Sequence, residues 1–394
     1  MRTTNPMIVL RHGEVYDPSP VGSCDLLLGG GKILAMGPKL PTMPSELSVE
    51  EVDVTGLKVI PGLIDAHVHV TGGGGESGFS TRVPRAALSE FTRAGITSVV
   101  GLLGADGTTR TIRDLVATTM GLREEGLSAW CYTGSYQIPV PTLTGSVRDD
   151  IVYVDPIIGV GEVAISDHRS SQPTLDEILR LASEAYTAGM ISQKAGVLHF
   201  HLGDGERGLE LIRQALKQAE IPTRVYHPTH VNRQVRLFEE AMTLADQGVT
   251  VDVTAFPDAD EGLMAHDAIH QWIDNKRPIE QITCSSDGAG CLPTFDDQGN
   301  MVAMGVGDPI SLTHTLQQLL ELGHALETIL PIFTTNVARV MRLSGKGQLQ
   351  TSAHADVVCL DQNNQVHHVL CNGKWMIRHG EPVHVGTFER KEQL

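Results

Sequence analysis

The chain has 394 residues, enough for one large domain and a smaller one. A hydrophobic share of 41% with 20% charged residues is ordinary globular composition, and a formal charge of −17 argues against the basic footprint of a nucleic-acid binder. No stretch approaches the ~18 apolar residues of a membrane span, Met7-Ile8-Val9-Leu10 is too short for a signal peptide, and the six cysteines (Cys24, Cys131, Cys284, Cys291, Cys359, Cys371) lack Cys-x-x-Cys spacing and read as reduced thiols of a cytoplasmic protein.

Residues 1–56 read as short strands and turns: Met7–Leu10, Cys24–Leu28, Lys32–Met36 and Glu51–Val54, set apart by Gly and Pro signals. From Leu57 the texture becomes an alternation of strand and helix. Apolar runs at Lys58–Asp65, Thr97–Leu103, Ser128–Gly134, Ile157–Ile165, Val197–His201, Arg224–His227, Val249–Thr254 and Gln281–Ser285 have the near-continuous hydrophobicity of parallel strands buried on both faces. Helical patterns lie between them at Pro84–Ala94, Ile112–Glu125, Leu175–Ala188, Leu209–Ala219 and Gln234–Ala245, and Thr174 with Glu177 has the form of a capping box.

Eight such alternations with right-handed crossovers close most simply into a (β/α)8, TIM-like barrel. Helical patterns follow at Leu312–Leu322 and Leu326–Leu343, and then strands return at Asp356–Leu360, Gln365–Cys371 and Lys374–Ile377, the last two joined by a hairpin signal at Asn372-Gly373. The expected organisation is an α/β barrel over residues 57–345 and a small β-sandwich domain built from both chain termini, 1–56 and 346–394.

The chemistry begins at Ile64-Asp65-Ala66-His67-Val68-His69. Histidines at i and i+2 of a strand point the same way and can grip one ion from a rigid element. Taken alone, the pair also fits two polar residues on an edge strand. Four further metal-capable residues change the odds: Glu162, His201, His230 and Asp287 are each expected at the C-terminal end of a strand-like run, where a barrel builds its site. Imidazole with carboxylate suits Zn²⁺ first among divalent ions. Four histidines and two carboxylates exceed one tetrahedral set, so two ions are expected, bridged by Glu162 and a hydroxide that attacks at neutral pH. Asp287 is the candidate for taking and delivering a proton.

Around this set lie candidates for binding substrate. The loop Gly72-Gly73-Gly74-Gly75-Glu76 lacks the Gly-Lys-Ser/Thr ending of a phosphate loop. Its glycines, Gly74 among them, would let backbone approach a ligand closely. Glu76 is either a mouth carboxylate for a substrate ammonium or a solvated loop acid. Arg169 and Arg233 have forks that match carboxylates, although each alone fits a surface ion pair. Tyr136 is either a donor to a developing oxyanion or a packing tyrosine. Two arginines and a glutamate around a hydrolytic metal centre suggest a zwitterionic substrate with two carboxylates and one amine.

At these residues the chain resembles the amidohydrolase superfamily and, within it, the isoaspartyl (β-aspartyl) dipeptidases. The matching segments are Pro61–His69 with Gly72–Glu76, Thr97–Gly104, Ala164–Arg169, Pro228–Arg233 and Ser285–Gly288. The resemblance implies a metal-dependent hydrolase of the isopeptide bond in β-aspartyl dipeptides, usually a large homo-oligomer and as large as an octamer. It carries His67, His69, His201, His230 and Asp287 over as ligands, and Glu76, Tyr136, Arg169 and Arg233 as substrate contacts. Three positions depart from the family pattern. Glu162 stands where a carboxylated lysine bridges the ions, Ala105 where a threonine follows the second strand, and Cys291 where a serine contacts substrate. The alternatives are an amidohydrolase acting on a cyclic amide or an N-acyl amino acid, in the manner of dihydroorotases, hydantoinases or deacetylases, and a non-catalytic scaffold.

Overall fold

The computed structural model describes residues 7–257, 262–296, 298 and 300–389, so the outermost parts of the expected terminal segments, 1–6 and 390–394, lie outside the described residues. Six strands form one parallel sheet in chain order: β1 (Leu63–Val68), β2 (Ile96–Gly101), β3 (Ser128–Thr133), β4 (Ile157–Ile165), β5 (Val197–Leu202) and β6 (Tyr226–Thr229). A further parallel pair follows, β7 (Val251–Thr254) and β8 (Ile282–Ser285). Backbone contacts tie this pair to both edges of the sheet. Val231 N–H donates to Asp252 O at 3.3 Å, and His69 N–H donates to Gly288 O at 2.9 Å beside a parallel bridge between Val68 and Gly288.

Strand alternation sorts the side chains by face. Leu198, Phe200 and Leu202 of β5, Val251 and Val253 of β7, and Ile282 and Cys284 of β8 join the apolar core with helices such as Ile112–Glu125 and Leu175–Ser192. The alternate positions carry buried polar groups: His199, His201, His227, Thr229, Asp252, Thr254, Thr283 and Ser285. A second cluster packs Ile64, Val100, Tyr132 and Val197 against Val337 and Met341. The helix Leu175–Ser192 opens with the capping box read from sequence, Thr174 N–H donating to Glu177 Oε2 at 2.8 Å.

The run Lys58–Asp65 is two strands rather than one. Lys58–Pro61 pairs with Val357–Leu360, and β1 begins after Gly62. A Cβ on Gly62 would fall 2.1 Å from Thr97 Oγ1, so the chain turns there at a residue with no side chain. The chain ends build one nine-stranded mixed sheet through continuous pairing, and residues from both its ends, such as Leu26 and Leu370, share one apolar cluster. Met7–Asp17 carries that pairing, being long and bulged between Leu10 and Gly13. Its first half pairs with Val49–Asp53 and its second with Lys58–Val59, so a single ladder runs through. Asn372 and Gly373 both take positive φ, 48° and 71°, as the hairpin signal requires.

Two smaller differences bear on packing. The helical pattern Leu326–Leu343 breaks into Leu326–Phe333 and Thr335–Val340 at Thr334, after Pro331 inside the first piece. A hairpin, Cys291–Phe295 with Met301–Val306, follows β8 and was not read from sequence.

Candidate metal centre and substrate cleft

The six candidate ligands converge at one end of β1, β4, β5, β6 and β8. His67 and His201 are penultimate in β1 and β5, His69 and His230 follow β1 and β6 directly, and Asp287 lies two residues beyond β8. Glu162 departs from the expectation that every ligand ends a strand, because β4 runs on to Ile165. The β4–β5 pairing slips by one residue between Val160 and Val163, and this bulge holds Glu162 among the histidines. His230 and Asp287 take left-handed backbone, φ 59° and 53°. Such conformations are uncommon outside glycine and concentrate where a fold must aim a side chain.

Glu162 is the hub. Its Oε1 lies 3.4 Å from His69 Nε2, while its Oε2 lies 3.0 Å from His201 Nδ1, 3.5 Å from His67 Nε2 and 3.6 Å from His230 Nε2. Asp287 Oδ1 lies 3.4 Å from His67 Nε2 and 3.1 Å from His69 Nε2. Two ligand groups therefore overlap at His67: His67, His69 and Asp287 on one side, His67, Glu162 and His230 on the other. His201 reaches the second group through Glu162. Another histidine group, His367, His368 and His379, belongs to the terminal sheet.

The electrostatics suit a cation. Burial pushes the Glu162 carboxyl well above its ordinary range, reinforced by Asp287. Burial would push Asp287 up as well, but the imidazoles of His67 and His69 outweigh it and hold Asp287 well below the carboxylate range. Burial lowers His230 well below the usual imidazole value and lowers His201 to about 3, the latter against the pull of Asp167. The neutral imidazoles of His201 and His230 facing ionised or ionisable carboxylates belong to the donor set a divalent ion takes. His67 Nε2, Glu162 Oε1 and Asp287 Oδ1 are buried without a hydrogen-bond partner, so this polar set is left for a cation to satisfy.

Above the cluster opens a cleft lined by Gly73, Gly74, Glu76, Ala105, Tyr136, Arg169, Arg233 and Cys291 as well as His69, Glu162, His201 and Asp287. Arg169 reaches Glu76 at 3.5 Å and holds Asp167 with two nitrogens, at 3.1 and 2.8 Å. Arg233 lies over the Phe256 ring at 5.5 Å. Tyr136 Oη lies 2.8 Å from His201 Nδ1, and burial keeps its pKa well above that of a free phenol, so it stays a donor. Burial, with Glu76 nearby, pushes the Cys291 thiol up to about 12. Cys291 therefore meets a ligand as a neutral thiol.

The glycine loop has a tighter reason than ligand approach. A Cβ on Gly72 would lie 2.1 Å from Val83 O, and one on Gly74 would lie 2.4 Å from Thr81 O, both at positive φ. Buried Arg110 pins the same loop by donating to the carbonyls of Thr71, Gly73 and Val83.

Sequence reasoning missed Arg110, Asp167, His199 and His227. Asp167 accepts from His201 Nε2 at 2.9 Å, which turns the other ring nitrogen toward Glu162. It lay inside a segment already singled out, Ser166-Asp167-His168-Arg169. His199 repeats with His201 the i, i+2 spacing of His67 and His69, a signal that was available.

The amidohydrolase family model matches residues 58–376. The β-aspartyl dipeptidase of Fervidobacterium islandicum AW-1, solved in complex with β-Asp-Leu dipeptide, is 41% identical over 99% of this chain and 100% of that one, with a TM-score of 0.94. A dihydropyrimidinase from Brevibacillus agri NCHU1002 shares the fold at 16% identity and a TM-score of 0.66, covering 96% of this chain and 97% of the other. A dihydroorotase of Solibacter usitatus is 24% identical over 398 residues, 89% of this chain and 87% of its own length. The chain belongs to the amidohydrolase family, among its β-aspartyl dipeptidases.

Proposed function

We propose that the protein hydrolyses the isopeptide bond of β-aspartyl dipeptides with two divalent ions, Zn²⁺ by donor preference. The observation that carries this reading is the placement of Glu76, Arg169 and Arg233 around a cleft whose floor is the His/Glu/Asp cluster; the cleft's other charged residues are engaged locally, Arg110 with the carbonyls of Gly73 and Val83 and Asp106 with the backbone N–H groups of Thr108 and Thr109. A β-aspartyl dipeptide offers one ammonium and two carboxylates to that set. The 41% identical relative solved with β-Asp-Leu supports the same substrate class.

In this reading His67, His69 and Asp287 would hold one ion and His201 and His230 the other, with Glu162 turning Oε1 toward His69 and Oε2 toward His201 so that it could serve both. What such ions supply when bound is an activated water and Lewis-acid polarisation of the scissile carbonyl. Asp287, kept anionic by its imidazole neighbours, receives the proton of the attacking water and returns it to the leaving amine. Tyr136, still protonated, donates to the oxygen that gains charge. Arg169 is held by Asp167 to meet a carboxylate, Arg233 meets the other, and Glu76 takes the ammonium. The eight parallel strands close as a (β/α)8 barrel within residues 57–345, whose first strand, Lys58–Pro61, is given to the sheet of the smaller domain formed by the terminal segments 1–56 and 346–394, and the protein works as a cytoplasmic homo-oligomer.

A substrate panel tests the class. β-Asp-Leu, dihydroorotate, hydantoin and an N-acyl amino acid are offered to the metal-loaded protein, and hydrolysis of β-Asp-Leu far above the rest is expected. Preference for a cyclic amide would move the assignment to the chemistry of the dihydroorotase and dihydropyrimidinase relatives.

A further inference from the structure

Behind the metal cluster a file of buried side chains leads from His67 to Asp252. His67 Nδ1 lies 2.8 Å from His199 Nε2, and His199 Nδ1 lies 2.9 Å from His227 Nδ1. His227 Nε2 faces Thr283 Oγ1 at 3.3 Å, and that hydroxyl donates to Asp252 Oδ1 at 2.6 Å. No member is more than 1% exposed, so the contacts within the file must satisfy its polar atoms. Tyr132 stacks on the His199 ring at 5.1 Å and fixes its plane.

Each nitrogen–nitrogen contact holds one proton, which leaves two directions for the whole file. Asp252 decides between them. Its Oδ2 accepts from Thr229 Oγ1 at 2.7 Å and from Ser285 Oγ at 2.5 Å, so three hydroxyls surround it as donors. The single proton of Thr283 is committed to Asp252, and Thr283 meets His227 Nε2 only as an acceptor. His227 then carries its proton on Nε2 and accepts at Nδ1. His199 carries its proton on Nδ1 and accepts at Nε2. In the neutral ring His67 then carries its proton on Nδ1, which leaves Nε2 to the ion. That Nε2 is the atom 3.4 Å from Asp287 and 3.5 Å from Glu162, buried without a hydrogen-bond partner. Reversing the file would put a proton where the ion binds and set a His227 lone pair against a hydroxyl oxygen.

We propose that Asp252 and Thr283, acting through His227 and His199, fix the ring tautomer in which His67 offers a bare Nε2 to a divalent ion. The four are positioning residues, and the inference rests on the reading of His67 as a metal ligand. A metal ligand's other ring nitrogen commonly sets its tautomer by bonding a carbonyl or carboxylate. Here the carboxylate acts from three links further away.

Thr283→Val and Thr283→Ser test it without touching the cleft, since valine keeps the shape and serine keeps the hydroxyl. Zn²⁺ affinity of the metal-stripped full chain is measured by chelator competition, and the His67 tautomer is read from ring-nitrogen NMR shifts. Thr283→Val is expected to weaken Zn²⁺ binding about tenfold and to mix the His67 tautomers, with Thr283→Ser restoring both. Wild-type affinity and tautomer in Thr283→Val would overturn the inference, as would equal loss in both variants, which would point to packing. Failure of the wild-type protein to bind Zn²⁺ or any other divalent ion would instead overturn the metal reading beneath it.

Discussion

Asp287 sits between two imidazoles at 3.1 and 3.4 Å and stays ionised although it is buried. An asparagine there keeps the shape and one ligand oxygen but cannot accept a proton. Asp287→Asn is therefore expected to lower kcat by about 10²–10⁴-fold with metal content, read by elemental analysis, unchanged. Full activity in that variant would remove Asp287 from proton transfer. Glu162 shows how a common residue type takes an uncommon place. Its two oxygens face different histidines because a one-residue bulge turns it inward, and nothing in Gly161-Glu162-Val163 announces that bulge. His230 and Asp287 were legible as ligand types, whereas their left-handed backbone was not, since it is imposed by the loops that follow β6 and β8.

At the level of elements, β5 to β8 explain why part of the site was hidden. Their apolar positions alternate with polar ones, and the runs still read as hydrophobic because the polar residues number only two or so per strand. A lone histidine in such a run is ordinarily a satisfied core residue, so His227 gave no alarm, and the spacing of His199 with His201 gained a meaning only when the strands came together. His227 has a measurable consequence. Burial lowers it to about 4 in the folded chain, against about 6.5 when unfolded. Its folded pKa is depressed, so the unfolded state takes up the extra proton first as pH falls. The stability it contributes is complete above pH 6.5 and is lost on descent toward 4. Between pH 7 and pH 5 this amounts to about 2 kcal/mol. Urea titrations of metal-stripped wild type and His227→Gln should show the acid loss smaller in the variant by about that amount. Equal losses would show that His227 is not the group protonated.

For the molecule as a whole, the sequence pattern carried the strand–helix alternation and the pairing of both chain ends into one unit, because these follow from hydrophobic period and turn chemistry. It missed how the terminal sheet is continuous, since the bulge in Met7–Asp17 and the split at Gly62 depend on tertiary neighbours such as Thr97. The substrate reading likewise depends on assembly: Glu76, Arg169 and Arg233 come from three distant segments, and only the fold sets them around one cleft. That cleft should discriminate a β- from an α-linked aspartyl bond, because the two isomers share end groups and differ in where the scissile carbonyl lies relative to them. The most direct measurement is kcat/KM for β-Asp-Leu and α-Asp-Leu with metal-loaded and chelator-stripped protein. Hydrolysis of the β isomer alone is expected, abolished by stripping and restored by Zn²⁺; equal cleavage of both isomers, or activity indifferent to metal, would contradict a metal-dependent β-aspartyl dipeptidase.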